Sequence, residues 1–214
     1  MEFNIELNNI KPFNIPIASI DNPKTIWNTQ TELFQKNHYQ IVASSGSGKS
    51  TFLKIINGTS FNYKGGVKVG NNLLNVNQPD ELLKVRRSLI HTVFQGLKLF
   101  DKLSVWENLL LACDNKKDEE LARKLIQKFS IHDKIDVAIH KISYGQKQRV
   151  AVIRALLGSF EWILLDEPFS HLDDKLSALI LQDILEISKN QNAGLIITSL
   201  NLNARLSGFK SITI

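Results

Sequence analysis

The chain has 214 residues, 43% of them hydrophobic and 22% charged, with a formal net charge of +5. That size and balance suit one globular domain of α/β dimensions and exclude a disordered or fibrous chain. No stretch reaches the eighteen apolar residues of a membrane span, and Met1-Glu2-Phe3-Asn4 begins no signal peptide, so a cytoplasmic chain is expected. Cys113 is the single cysteine and sits in an apolar run, which points to a packed thiol, and the five histidines show no metal-ligand spacing. The lysines and arginines are spread along the chain without an aromatic-interleaved stripe, so a basic solvated face is preferred to a nucleic-acid surface.

In chain order, Phe3 to Leu7 alternate as a half-buried strand, and Ile15 to Ile20 offer another before Pro23. Phe13, and after it Trp27, are aromatics that could stack on a flat ligand ring, with ordinary packing as the alternative for both. Tyr39, Ile41 and Val42 form a buried strand, and Phe52, Leu53, Ile55 and Ile56 recur at helical spacing. Between them runs Ala43-Ser44-Ser45-Gly46-Ser47-Gly48-Lys49-Ser50-Thr51. A glycine-rich turn joining a strand to a helix aims the helix's unpaired N–H groups and positive dipole end at a polyphosphate. Lys49 would reach the β- and γ-phosphates, and the Ser50 hydroxyl would reach Mg²⁺. Ala43 stands where the pattern has its first glycine.

Further on, Asn62 to Val69 reads as a hairpin turning at Gly65-Gly66, and Pro79 to Arg87 reads as a helix. Leu89 to Gln95 reads as a strand that delivers a glutamine to its carboxyl end, where ligands bind in open α/β sheets. Ser104 to Ala112 and Asp118 to Phe129 are expected helices, and Ser143 with Gly145 opens a long helix running to Leu157. Trp162 to Leu165 is a short apolar strand of the parallel-sheet type ending in Asp166 and Glu167. There Asp166 would hold Mg²⁺ through water and Glu167 would serve as general base. Strands are also expected at Gly194 to Ser199 and Lys210 to Thr213.

Phosphate loop, Gln95, Ser143 to Gln148, Asp166-Glu167 and Ser170-His171-Leu172-Asp173 follow one another in an order that resembles the nucleotide-binding subunit of ATP-binding-cassette (ABC) transporters. Val93-Phe94-Gln95 followed by Leu103 to Asn108 is similar to the compact subunits of lipoprotein-release, peptide-export and cell-division complexes. The resemblance implies an α/β fold with a P-loop NTPase core and mostly parallel sheet, a small antiparallel β subdomain, and a helical subdomain at about 96–157 within one domain spanning 1–214. It implies ATP and Mg²⁺ as cofactors. Catalytic roles would fall to Glu167, Gln95 and Lys49, and metal binding to Ser50, Gln95 and Asp166. Nucleotide would lie against Ser44 to Thr51 and Phe13, while Ser143, Gly145 and Gln146 would contact the ATP of a second copy in a head-to-tail homodimer. A membrane permease would be the further partner, holding the chain at the inner face of the membrane, with Leu97, Leu99 and Phe100 near the docking site and no nucleic acid involved. Three positions depart from the family pattern: Ala43, Tyr144 at the first glycine of the signature, and Ser199 where a histidine is usual. The last implies slow hydrolysis, or a conformational switch with little turnover.

Overall fold

The computed structural model describes residues 2–200 and 206–214. The chain opens with β1 (Ile5–Pro12), a four-residue helix α1 (Ile17–Ile20), β2 (Gln30–Leu33), β3 (His38–Val42) and α2 (Lys49–Ile56). It continues through β4 (Tyr63–Val69), β5 (Asn72–Leu73), α3 (Pro79–Lys84), β6 (Ile90–Val93), α4 (Val105–Leu110) and α5 (Lys116–Lys128). α6 (Tyr144–Leu156), β7 (Trp162–Asp166), α7 (Asp174–Asn190), β8 (Gly194–Ser199) and β9 (Lys210–Ile212) complete it.

Two sheets result. The larger has the order β6-β7-β8-β3-β9 with every pair parallel. The smaller, β2-β1-β4-β5, is antiparallel throughout. Both sheets of the expected fold are therefore present. The period-2 geometry of strands explains why the parallel strands are continuously apolar. Ile163, Leu165, Leu195 and Ile197 enter one core with α4 to α7, while Trp162, Leu164 and Ile196 enter another with α2 and the antiparallel sheet.

Register decides what the sheet can present. Val42 pairs with Ser199, Asp166 with Thr198 and Leu165 with Val93, so four carboxyl ends finish on one edge. The chain segments after β3, β6, β7 and β8 all leave from that edge.

Local chemistry departs from the expected pattern at three places. Gly65-Gly66 is no turn. Both lie inside β4, where Gly65 has φ +104° and a Cβ would come 2.4 Å from the Asn8 carbonyl, opposite a register shift in β1; the chain reverses instead at Gly70 and Asn71. Ile15 to Ile20 holds no strand: Pro16 caps the short α1, and Ile15 and Ile20 turn into the core. The helix begun at Pro79 widens into a π turn over Val85–Leu89. Cys113 is only partly buried against the core, its thiol 3.5 Å from the Leu109 carbonyl. No described helix is long and apolar enough to cross a membrane.

Candidate functional site

The loop between β3 and α2 is shaped by two glycines with positive φ, Gly46 and Gly48. At Gly48, φ is +110°, a backbone that strains any residue with a side chain, and a Cβ would also push the end of the Ile15 side chain aside from 2.7 Å. α2 begins directly behind it, and its first N–H groups have no intrahelical partners. Lys49, the first helical residue, is 5% exposed. Its ammonium donates to the carbonyls of Ala43 (2.7 Å) and Ser44 (2.9 Å) and lies 3.4 Å from Glu167 Oε1.

The ends of β7 and β8 supply the facing wall. Ser50 Oγ donates to Asp166 Oδ2 at 2.6 Å, and Thr198 Oγ1 donates to Asp166 Oδ1 at 2.7 Å, which fixes both carboxylate oxygens of a 3% exposed side chain. The Glu167 amide then donates to Thr198 Oγ1 at 3.1 Å. Glu167 itself has φ +52°, in the left-handed region that a non-glycine residue ahead of proline rarely occupies. The next residue in the turn is Pro168, and the Gln148 amide of α6 donates to the Glu167 carbonyl at 3.0 Å. The strained glutamate is thus held on both sides, by Thr198 at its N–H and by Gln148 at its C=O.

Gln95 lies two residues beyond β6 rather than on it. It nevertheless borders the same cleft, a cavity of about 240 Å³ shared with Asn14, Lys49, Ser50 and Glu167, and a second of about 650 Å³ that it lines with Ser50, Lys54 and Asp166. Asn14 reaches Thr51 Oγ1 at 3.1 Å. The candidate residues of the loop, the glutamine and the two carboxylates are therefore together.

Others are not. Ser143 caps α6 in a reciprocal box with Gln146, its Oγ accepting from the Gln146 amide at 3.3 Å and its own amide donating to Gln146 Oε1 at 2.9 Å. Neither Ser143, Gly145 nor Gln146 borders either of these two cavities. Phe13 is 60% exposed just past β1, whereas Trp27 is 1% exposed and packs edge-on against Phe52 at 5.8 Å. Trp27 is a core residue, so its ring is closed off from a nucleotide base and ordinary packing is its role. Ser199 ends β8 beside Val42, and its carbonyl accepts from the Ala43 amide at 3.3 Å.

This donor set fits a triphosphate with a hard cation. A buried ammonium, helix N–H groups and the shielded Ser47 hydroxyl, which has no hydrogen-bond partner among the described residues, suit phosphate oxygens. Ser50 and Asp166, already in contact, are oxygen ligands of the kind Mg²⁺ takes, and among the described residues no three His, Cys, Asp or Glu side chains come together to hold a metal ion by themselves. Such a site suits a cation that draws its remaining ligands from substrate and water.

A parallel sheet with a glycine-shaped loop between β3 and α2, and an aspartate–glutamate pair at the end of β7, one strand removed from β3 across β8, defines a P-loop nucleotide-binding protein. Residues 27–170 match the family model described as ABC transporter, and the chain belongs to that family as an ATP-binding domain. It is 32% identical over 164 residues to the lipoprotein-releasing system ATP-binding protein LolD of Buchnera aphidicola subsp. Acyrthosiphon pisum (strain APS), covering 74% of this chain and 72% of that protein. The fold is similar to the ATP-binding cassette MJ0796 in a dimeric post-hydrolysis state bound to ADP and Pi, with TM-score 0.82, 26% identity and coverage of 98% of this chain and 94% of that one. A second dimeric structure of MJ0796, a bacterial ABC transporter cassette, gives TM-score 0.81 at the same identity and coverage.

Three contacts at the site have no counterpart in the sequence analysis, although Tyr144 and Gln148 stand in its motif. Thr198 and Gln148 act through main-chain atoms of Glu167, and the Tyr144 hydroxyl donates to the Gln95 carbonyl at 2.7 Å. Only β8's position next to β7 carried any signal for the first, since a hydroxyl one residue before the strand end must face its neighbour's last residues.

Proposed function

We propose that this chain is an ATP-hydrolysing motor subunit that closes head-to-tail on a second copy and drives a membrane-spanning partner from the inner face of the membrane. The observation that carries the reading is Glu167, its main chain held at N–H and C=O and its carboxylate 3.4 Å from a buried phosphate-loop lysine. Lys49 and the α2 amides bind and orient the phosphates, while Ser50, Asp166 and Gln95 hold the cation, which supplies charge neutralisation when bound. Glu167 takes the proton of the attacking water. Ser143, Gly145 and Gln146, remote from their own loop, complete the site of the second copy. Phe13, exposed and next in the chain to Asn14 of the cleft, stacks on the base. The single domain spans 1–214, with the helical subdomain at about 96–157 supported by α4 and α5 both packing on α6. Nucleic acid is not a partner. Likeness to LolD and to the MJ0796 dimers supports the dimer and a membrane partner of the lipoprotein-release kind.

The test is steady-state ATP hydrolysis at varied protein concentration with Glu167→Gln as control. A rate per subunit that rises with concentration, vanishes in the variant, and is accompanied by an ATP-trapped Glu167→Gln dimer supports the motor. A variant that stays monomeric in saturating Mg-ATP refutes it.

One observation favours a second reading, an ATP-dependent switch with slow turnover. Ser199 offers a short neutral side chain where the family pattern has histidine, and loss of one preorganised donor commonly costs about a hundred- to a thousandfold in rate. Ser199→His should then raise the single-turnover rate; an unchanged rate removes this reading.

A further inference from the structure

The first turn of α6 contains a side chain that the phosphate chemistry does not call for. Tyr144 follows the capping Ser143 and precedes Gly145, and it remains 43% exposed. Its hydroxyl donates to the Gln95 main-chain carbonyl at 2.7 Å, across 49 residues of sequence. Its ring lies 4.4 Å from that of His171 at an interplanar angle of 59°. The same turn is seated against the segment after β7, because a Cβ on Gly145 would come within 3.0 Å of the His171 carbonyl. From His171 the contacts run to Glu167: Nδ1 is 2.9 Å from Ser170 Oγ, and that hydroxyl donates to the Glu167 carbonyl at 3.2 Å.

The far end of α6 also grips the Gln95 loop. Arg154 donates to the carbonyls of Leu97 (3.2 Å) and Lys98 (2.8 Å). Ten residues separate Arg154 from Tyr144, about 15 Å along the helix. With glycine at 144, the start of α6 would lose the Tyr144 hydroxyl's tie to Gln95, and the loop would keep the hold of Arg154 at the distant end.

We propose that Tyr144 is a positioning residue, a latch that carries the state of Gln95 to Ser143 and Gly145 in the same chain. The inference rests on the reading above, in which Gln95 attends the cation of one site and Ser143 and Gly145 serve the site of the second copy. Because the phenol holds the main chain of Gln95, a shift of that residue toward a bound cation moves the start of α6 with it. Occupancy of one site is thereby reported to the other before the two copies meet. The ring contact with His171 extends the report toward Glu167. One half-exposed hydrogen bond of this type supports a coupling of roughly two- to tenfold.

The experiment compares Glu167→Gln, which suppresses turnover, with Glu167→Gln/Tyr144→Phe and Glu167→Gln/Tyr144→Gly. Hydrogen exchange is followed in peptides covering 95–103 and 143–149, with and without Mg-ATP, at a protein concentration where light scattering shows monomer. With Tyr144 present, Mg-ATP should slow exchange in both segments. In both double variants only 95–103 should respond, the response of 143–149 falling two- to tenfold. At higher concentration, the Mg-ATP needed for half-dimerisation should rise two- to tenfold in the Phe variant, with monomer affinity for a fluorescent ATP analogue within twofold. A 143–149 response that survives in Tyr144→Phe overturns the latch, since a ring that merely packs is still present there. A Glu167→Gln chain that never dimerises overturns the head-to-tail reading, while the monomer exchange data still judge the latch. No response of 95–103 in any chain overturns the Gln95 assignment and the latch with it.

Discussion

Thr198→Val isolates the hydroxyl that joins the two carboxylate residues. Valine keeps the shape, so no cavity opens at this fully buried position and the cost comes from polar groups alone. The Asp166 carboxylate loses the 2.7 Å donor on Oδ1 and keeps only the Ser50 donor on Oδ2, while the Glu167 amide loses its 3.1 Å acceptor. Leaving a buried polar group unsatisfied costs about 1–3 kcal/mol, so two such groups cost about 2–6 kcal/mol. The added methyl returns about 0.8 kcal/mol of apolar burial, which does not reverse the sign. In a domain of this length each kcal/mol moves Tm by about 2–4 °C, so a central loss of about 3 kcal/mol lowers Tm by about 6–12 °C. Catalysis should suffer separately, because the left-handed backbone of Glu167 is no longer fixed at its N–H. A misplaced base costs about ten- to a hundredfold in single-turnover hydrolysis. Urea and thermal unfolding of Thr198→Val and Thr198→Ser, with hydrolysis rates for both, provide the measurement. Serine, which keeps the oxygen, should stay near wild type. A valine variant within about 0.5 kcal/mol of wild type and with undiminished hydrolysis would refute the bridging role.

Three further substitutions or conditions test the frame around the site. Arg154→Ala removes two charge-assisted bonds from carbonyls of Leu97 and Lys98, consecutive residues at φ +54° and +52°, and should lower urea stability by about 2–4 kcal/mol; burial holds this guanidinium below its ordinary pKa, and lysine, without the planar fork, should recover about half. Gly194→Ala places a Cβ 2.5 Å from the ring of the fully buried Trp162, so overpacking of about 2 kcal/mol should outweigh the roughly 0.7 kcal/mol gained from a stiffer unfolded chain, a net loss of about 1 kcal/mol and of about 2–4 °C in Tm. Burial, reinforced by Asp118, Glu119 and Asp114, pushes the Cys113 thiol up to about 11, so it should react with a disulfide reagent at pH 8 far more slowly than after denaturation. The folded chain holds that proton more tightly than the unfolded one, so the associated stability is present below pH 9 and is lost as pH rises toward 11.

The sequence was most informative where chemistry and local geometry coincide. Glycines at 46 and 48, a lysine and a hydroxyl specify their own loop, and four apolar residues ending in Asp166-Glu167 specify a central parallel strand with its polar payload at the carboxyl end. Both follow from rules that act over a few residues. The strand at Ile15 to Ile20 was lost because apolar content is shared by a core-facing turn, and the turn at Gly65-Gly66 was lost because a glycine that relieves a close approach between strands resembles one that relieves a tight reversal. Trp27 and Phe13 differ in exposure through tertiary packing alone, which no spacing reveals.

The residues that hold the site together are long-range by nature. Thr198 meets Asp166 because β8 lies beside β7 in one register out of several, and a slip of one residue would turn the hydroxyl to the other face of the sheet. Gln148 meets the Glu167 carbonyl because α6 crosses the end of that sheet, and the same crossing brings the Tyr144 hydroxyl over Gln95. Each bond is local in space and remote in sequence, by 32, 19 and 49 residues. The motif residues therefore need only the right composition at the right spacing, whereas their supports need the finished sheet. It follows that altering a support should spare loop chemistry at Lys49 and Ser50 and change how Glu167 and the α6 N-terminus are held. Measured separately, nucleotide affinity and turnover should part company in Thr198→Val, with affinity changing by less than threefold while turnover falls by ten or more.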